Sequence, residues 1–147
     1  MSSSSYTHEK SIPAFSWTAN QWLSQIRFAI QEARFLELLI ERYLKWLAQG
    51  EHADQVITLS SRCKTCLEQA DLLVLSVENH LRLLATLARE EGKLDASWLK
   101  KQVDLENDVI GFGRSLNGLK TRIFELTEAV SRQEKVRSLD RLLSSRA

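Results

Sequence analysis

Apolar residues recur at alternating spacings of four and three in three long stretches of the chain. A mean spacing of about 3.5 residues keeps one seam of an α-helix against a packed neighbour, as in a coiled coil. The pattern therefore predicts an all-α fold built on three long helices. The predicted seams are Trp22, Ile26, Ala29, Ala33, Leu36, Ile40, Tyr43 and Leu47; then Val56, Leu59, Cys63, Cys66, Ala70, Leu73, Val77, His80, Leu84 and Leu87; then Trp98, Gln102, Leu105, Val109, Phe112, Leu116, Leu119, Ile123, Leu126 and Val130.

The start of the chain differs from the rest in having no apolar periodicity. Residues 1–16 contain four consecutive serines and Pro13, the only proline, so we expect a flexible leader there. Thr18, with a glutamine three residues later, fits a capping box at a helix start. The first helix is therefore predicted over residues 19–48, with Gly50 as its terminator.

One further glycine-marked turn, at Gly92, separates the second predicted helix from the third. The second helix is predicted over residues 53–90 and ends at Gly92, and Asp95 is a suitable N-cap for the third. Because both connections are short, consecutive helices should be antiparallel neighbours. The predicted architecture is an antiparallel up-down bundle over residues 17–132.

The third stretch contains three interior glycines, each costing a helix about 1 kcal/mol relative to alanine. They are Gly111, Gly113 and Gly118. Since the seam passes them without losing phase, we expect one helix that is kinked near the glycines rather than broken at Asn117. After Val130 the repeat fails, and residues 133–147 are predicted to form a short C-terminal helical tail, which is either a docking helix or a helical extension that needs a partner.

Two sets of apolar residues lie outside these seams. The first set is a second stripe along the first helix, formed by Phe28, Phe35, Leu39 and Trp46. The second set lies on the tail and comprises Val136, Leu139, Leu142 and Leu143. A helix that is apolar on most sides needs cover, which the chain's own tail, a second copy or another protein could provide. Because twofold homodimers are the commonest oligomers, we predict a self-associating protein–protein interaction module, such as an adaptor, assembly factor or regulatory subunit, with these residues in its binding surface.

The polar residues on the seams are candidates for chemistry. Cys63 and Cys66 have CxxC spacing, but they fall in mid-helix, away from the helix start where a redox pair would have lowered thiol pKa values. Core packing is the favoured interpretation, with redox or metal binding as the alternative. His80 and Gln102 are expected to be buried and hydrogen-bonded, and each could be the other's partner.

Motifs of the common enzyme classes are missing from the sequence. There is no Glu-x-x-His pair, no His-Glu-x-x-His and no glycine-rich loop ending in Gly-Lys-Ser/Thr. The three histidines, His8, His52 and His80, are far apart in sequence. We therefore expect no catalytic residues, no metal and no cofactor, and predict that the protein is not an enzyme.

The charge pattern leaves one alternative open. Net charge is only +1, but the last third of the chain is mildly basic. The residues that could contact nucleic acid are Arg114, Arg122, Arg132, Arg137 and Arg141. Interleaved acidic residues and the lack of an aromatic stacking platform favour a solvated surface over nucleic-acid binding. A lone cysteine pair, no bilayer-length apolar run and no secretion-like start together predict a cytoplasmic protein with no membrane contact.

Overall fold

The structure, a computed structural model, describes residues 11–146, and the regular elements within that range are all helical. The all-α prediction is confirmed. The first element is α1 (Ile12–Leu39), which continues through a π-helical segment (Ile40–Leu44) into a short helix, α2 (Lys45–Leu47); α3 (Glu51–Arg89) and α4 (Ala96–Arg146) follow. Residues 1–10 of the predicted leader lie outside the described residues.

The start of α1 differs from the prediction. The Ser11 hydroxyl oxygen accepts a hydrogen bond from the Ala14 amide at 3.1 Å, so Ser11 caps the helix. Pro13 lies in the first turn, where a helix does not need the missing N–H. The predicted cap at Thr18 is wrong, because Thr18 lies inside α1, and residues 12–16 are helical rather than part of a leader.

Both connections between the long helices contain a residue in the left-handed region. Gly50 has φ +60° and ends the first helical stretch, as predicted. In the second connection Glu91, not the predicted Gly92, takes the positive φ of 54°. The amide of Gly92 donates to the Leu87 carbonyl at 2.9 Å, and a Cβ on Gly92 would collide with the Leu87 side chain. Glycine is needed there for close approach rather than for its dihedral freedom.

Asp95 caps α4 as predicted. Its Oδ1 accepts hydrogen bonds from the amides of Ser97, at 3.0 Å, and Trp98, at 3.2 Å. These bonds satisfy two of the N–H groups that a helix start leaves unpaired. The hydroxyl of Ser97 donates to the same oxygen, and together these bonds lower the pKa of Asp95.

Helix α4 is continuous past its glycines. It has no break at Asn117, and residues 133–146 are its last turns, so of the two possibilities for the tail the structure has the helical extension and not a separate element. A Cβ added at Gly111, Gly113 or Gly118 would meet no atom within 4 Å. No other part of the described chain therefore packs tightly against these glycines. The kink near the glycines stays a prediction.

The described chain divides into two compact units, each containing parts of all three long helices. The first unit comprises residues 11–31 and Glu68–Arg114. In it, Arg27 of α1 pairs with Glu78 of α3 at 3.9 Å. His80 of α3 and Gln102 of α4 are hydrogen-bonded, so the helices pack on one another here.

The second unit comprises Glu32–Leu67 and residues 115–146. The thiol of Cys63 on α3 donates to the Ala33 carbonyl of α1 at 3.2 Å. The Lys120 ammonium of α4 pairs with Glu32 of α1 at 3.0 Å. His52 of α3 approaches Gln133 of α4 at 3.5 Å. The three helical segments of this unit therefore contact one another pairwise.

The predicted seams form the buried core of both units, with partial exposure mainly near the helix ends. One seam position is wrong. Tyr43 is only half-buried, whereas Leu44 is fully buried. The cause is the π-helical segment, whose turn takes up one more residue than an α-helical turn, so that the residue four after Ile40 meets the core.

Candidate functional site

The apolar stripe predicted on the first helix is exposed to solvent at its aromatic positions. Phe28, in the first unit, is 64% exposed; in the second unit Phe35 is 61% and Trp46 78% exposed, while Leu39 is half-buried. Large apolar side chains at such exposure are ordinary when single and informative when several share one element. None of the three aromatic rings is enclosed by the described chain.

The π-helical segment changes how these residues line up within the second unit. One inserted residue rotates every following side chain by about 100° relative to an uninterrupted α-helix. Counting in α-helical steps places Trp46 in line with Phe35, but the segment Ile40–Leu44 intervenes. Trp46 therefore lies off the line through Phe35 and Leu39. A sequence pattern gives no direct signal for this, because the inserted turn is set by packing.

Sequence analysis missed a second aromatic residue beside Phe35. The Glu32–Lys120 ion pair fixes α1 and α4 side by side in the second unit. Phe35 lies one turn after Glu32 on α1, and Phe124, 48% exposed, lies one turn after Lys120 on α4. The two rings therefore project near the same level of the two helices. Phe124 lies off the predicted seam of the third helix, and the sequence gives no signal that places it beside Phe35.

The last turns of α4 carry their apolar residues on the side opposite the core. The buried seam of Ile123, Leu126 and Val130 continues in phase at Glu134 and Arg137, which are polar. At 3.6 residues per turn, the tail's apolar residues fall on the other side of the helix. These residues, all exposed, are Val136, Leu139, Leu142 and Leu143. We call them the tail stripe.

Polar groups occupy the core-facing side of α4 in the same turns. The Arg137 guanidinium pairs with the Glu134 carboxylate at 2.9 Å, and both side chains are about two-thirds buried or more. Tyr43 of the π-helical segment faces this region across a groove of about 430 Å³, with Lys135 and Leu139 among its lining residues. The core therefore ends at Val130 and is closed by a charged pair.

The predicted nucleic-acid residues are not gathered into one basic surface. Arg122 lines a groove of about 530 Å³ between α3 and α4 in the second unit, together with Arg62. Asp54 and Glu125 line the same groove. Arg137 is engaged with Glu134, while the other members of the predicted set are exposed: Arg114, Arg132 and Arg141. The groove offers mixed charge rather than a uniform attraction for phosphates.

The two cysteines are core residues of the second unit. Burial, aided by Glu37 and Cys66, raises the pKa of the Cys63 thiol to about 11. Burial also raises the pKa of Cys66. Both thiols are free, and their burial disfavours the thiolate form that redox exchange or metal binding uses.

His80 and Gln102 form a buried polar chain in the first unit, as predicted. Gln102 Nε2 donates to the Phe15 carbonyl at 3.3 Å, which leaves Oε1 to accept from His80 Nε2–H at 2.6 Å. The Trp98 ring lies 6.0 Å from the imidazole. Desolvation lowers the pKa of His80, the Gln102 bond opposes that shift and Lys101 adds to it. Hydrogen bonds thereby link His80 of α3, through Gln102 of α4, to the Phe15 carbonyl of α1.

Groups of three or more possible metal ligands do not occur among residues 11–145. Within the same part of the chain, no helix combines the length and apolar character needed to cross a bilayer. No protein-family model matches the chain, and comparison with curated proteins and with solved structures finds no match.

The candidate functional site consists of the apolar residues that are exposed on α1 and at the end of α4.

Proposed function

We propose that this chain is a non-enzymatic, cytoplasmic interaction module that self-associates through the outward side of its first helical stretch. The surface consists of Phe28, Phe35, Leu39 and Trp46, and the tail stripe provides a second contact surface. The module acts by burying these helix faces against another helical surface. An adaptor, an assembly factor and a regulatory subunit all work in this way.

The observation that carries the proposal is the exposure of large rings on a chain that already has a complete core. Fully burying one Phe or Leu side chain stabilises by about 1.5–3 kcal/mol. Covering Phe35 and Trp46 on both copies of a dimer would therefore supply several kcal/mol, before association and ordering costs are subtracted. Those costs are of similar size, so the dimer should be reversible and dependent on concentration.

The charge around the surface favours a second copy of the same chain. Between Glu32 and Leu47 the sequence has three acidic and three basic residues. A balanced surface does not repel its own copy, and a twofold axis lets each acidic residue face a basic one. The ion pair between Lys45 and Glu41, at 3.5 Å, shows that opposite charges already alternate along this face.

The proposed architecture under this surface is an antiparallel up-down bundle. In the second unit, Ala33 lies beside Cys63, while Ile40, further along α1, shares a groove with the earlier residue Val56 of α3. Residue numbers thus rise along α1 as they fall along α3, as expected for antiparallel neighbours. A bundle of this kind presents one outward side of each helix, which is where the exposed rings lie.

Solution mass tests the proposal. We expect the native chain to sediment as a dimer that dissociates on dilution, and the F35S/W46S variant to be a folded monomer. The matched control is Leu72→Ser, since Leu72 is a comparably exposed apolar residue, 65%, on α3 in the first unit. Its dimer should persist. A native chain that is monomeric at every concentration, or a control that dissociates as readily as F35S/W46S, contradicts the proposal.

A further inference from the structure

The tail stripe differs from the α1 surface in the charge that accompanies it. Residues 132–146 contain five basic and two acidic residues, giving the end of α4 a net charge of +3. Glu134, one of the two acidic residues, is already paired with Arg137 on the core-facing side. The other acidic residue, Asp140, is exposed next to Val136 and Leu143, so the surface that remains is apolar and carries four basic residues and one acidic residue.

The basic residues nearest the stripe lie on its own side of the helix. At 3.6 residues per turn, Arg132 and Lys135 fall within the same arc as Leu139 and Leu143. Both are exposed, and neither forms an ion pair with another described residue. The leucines are thus bordered by two free cationic side chains.

The chain itself offers this stripe no cover from α3. His52, next to the start of α3 at Glu51, is the α3 residue that approaches Gln133. Residues of α4 beyond Gln133 therefore run past the beginning of α3. The core phase continues at Glu134 and Arg137, so their apolar side faces away from the core, although Leu139 and Lys135 also line the open groove beside Tyr43.

From this geometry and charge we propose that the end of α4 docks into an apolar groove or helix face, rimmed by acidic residues, on a different protein. The inference rests on the proposed function and assigns a different partner to each surface. The α1 surface binds a second copy of the chain, and the tail stripe binds a different protein. Two copies of the same tail would bring like charges together, which is destabilising. An acidic rim would instead pair with Arg132 and Lys135 while the leucines are buried.

A pair of synthetic helical peptides tests the charge rule on the full chain. Both carry the same leucine seam, which is flanked by glutamates in one peptide and by lysines in the other. We expect the glutamate peptide to bind, with an affinity that falls as salt is raised, and the lysine peptide to bind at least about tenfold more weakly. The R132E/K135E variant should reverse that preference.

Two substitutions separate the stripe from general effects of charge. L139D/L143D should abolish peptide binding, because it places charge within the apolar contact. Ser144→Asp adds a negative charge to the same turns away from the stripe and should retain binding within about threefold. All of these positions are exposed, so each variant should keep the native melting temperature.

Three outcomes overturn the inference: binding of neither peptide, equal binding of both, or stripe-dependent binding to anionic phosphatidylserine vesicles without peptide binding. The last would assign the basic apolar helix to a membrane surface. Solution mass, measured in parallel, keeps the two proposals apart. A monomer that discriminates between the peptides refutes self-association alone, and a dimer that does not discriminate refutes the tail inference alone.

Discussion

Replacing Gln102 by leucine should destabilise the first unit by breaking the buried polar chain at its centre. His80 Nε2–H would lose its acceptor where water is excluded, whereas the Phe15 carbonyl would lose only a second donor, because it also accepts a hydrogen bond within α1. A buried polar group left unpaired costs about 1–3 kcal/mol. With one such group affected, we expect the free energy of unfolding to fall by about 1–3 kcal/mol.

The companion change, His80→Leu, leaves only the Gln102 oxygen unpaired and should cost about 1–3 kcal/mol. The double variant H80L/Q102L removes the mismatch between the two side chains and should lie within about 1 kcal/mol of the native protein. The two changes are therefore strongly coupled. Denaturant unfolding at pH 7.5, where His80 is neutral, measures all three free energies.

Additivity would refute this reasoning. If the double variant is as unstable as the sum of the two single changes, the His80–Gln102 hydrogen bond does not contribute as argued, and the cost of each change comes from packing. If Q102L alone is as stable as the native protein, His80 Nε2–H has another acceptor in solution.

Further predictions concern the same core and its surroundings. Burial lowers the pKa of His80 in the folded protein below its ordinary value of 6.5, so the unfolded chain takes up the proton more readily. Protein stability should therefore not depend on this group above pH 6.5 and should fall as the pH drops below 6.5. Melting temperatures measured across an acid titration should show this loss in the native protein, and the H80L/Q102L variant should lack the contribution of His80. Cys63 and Cys66 should resist a thiol-specific chromogenic reagent at pH 8 until denaturant is added, and rapid labelling of the native chain would contradict their burial. Gly118→Ala should raise the free energy of unfolding by about 0.5–1 kcal/mol, since nothing lies near the added methyl group. Gly92→Ala should instead destabilise the protein, because its methyl group would collide with the Leu87 side chain. Thermal unfolding measures both changes. Retention of the chain on immobilised DNA and RNA should be absent at physiological salt; strong, salt-sensitive retention would revive the nucleic-acid alternative.

The repeat of apolar residues was sufficient to predict the helices and most of their buried positions. Even the His80–Gln102 contact follows from it, because two polar residues on facing seams can satisfy each other. The helix caps were less predictable. Ser11 competes with Thr18 as a cap, and the choice depends on whether Phe15 packs into the core, which is a tertiary effect rather than a local one.

Two features of the candidate site could not be predicted from periodicity. The π-helical segment moves Leu44 into the core and shifts Trp46 off the line through Phe35. The extra residue in this turn is set by packing, and the spacing of apolar residues does not predict it. The proximity of Phe124 to Phe35 depends on how far α4 is shifted along α1. The Glu32–Lys120 ion pair reveals that shift only once the helices are placed.

Hydroxyl-radical footprinting of the full chain across a concentration series distinguishes a covered α1 surface from an exposed one, because it reports the solvent access of individual side chains. We predict that Phe35 and Trp46 become protected as concentration rises, while Leu72 keeps the reactivity expected of an exposed side chain. If Phe35 and Trp46 react equally at every concentration, the outward side of the first helical stretch is not covered by a second copy and the account is wrong.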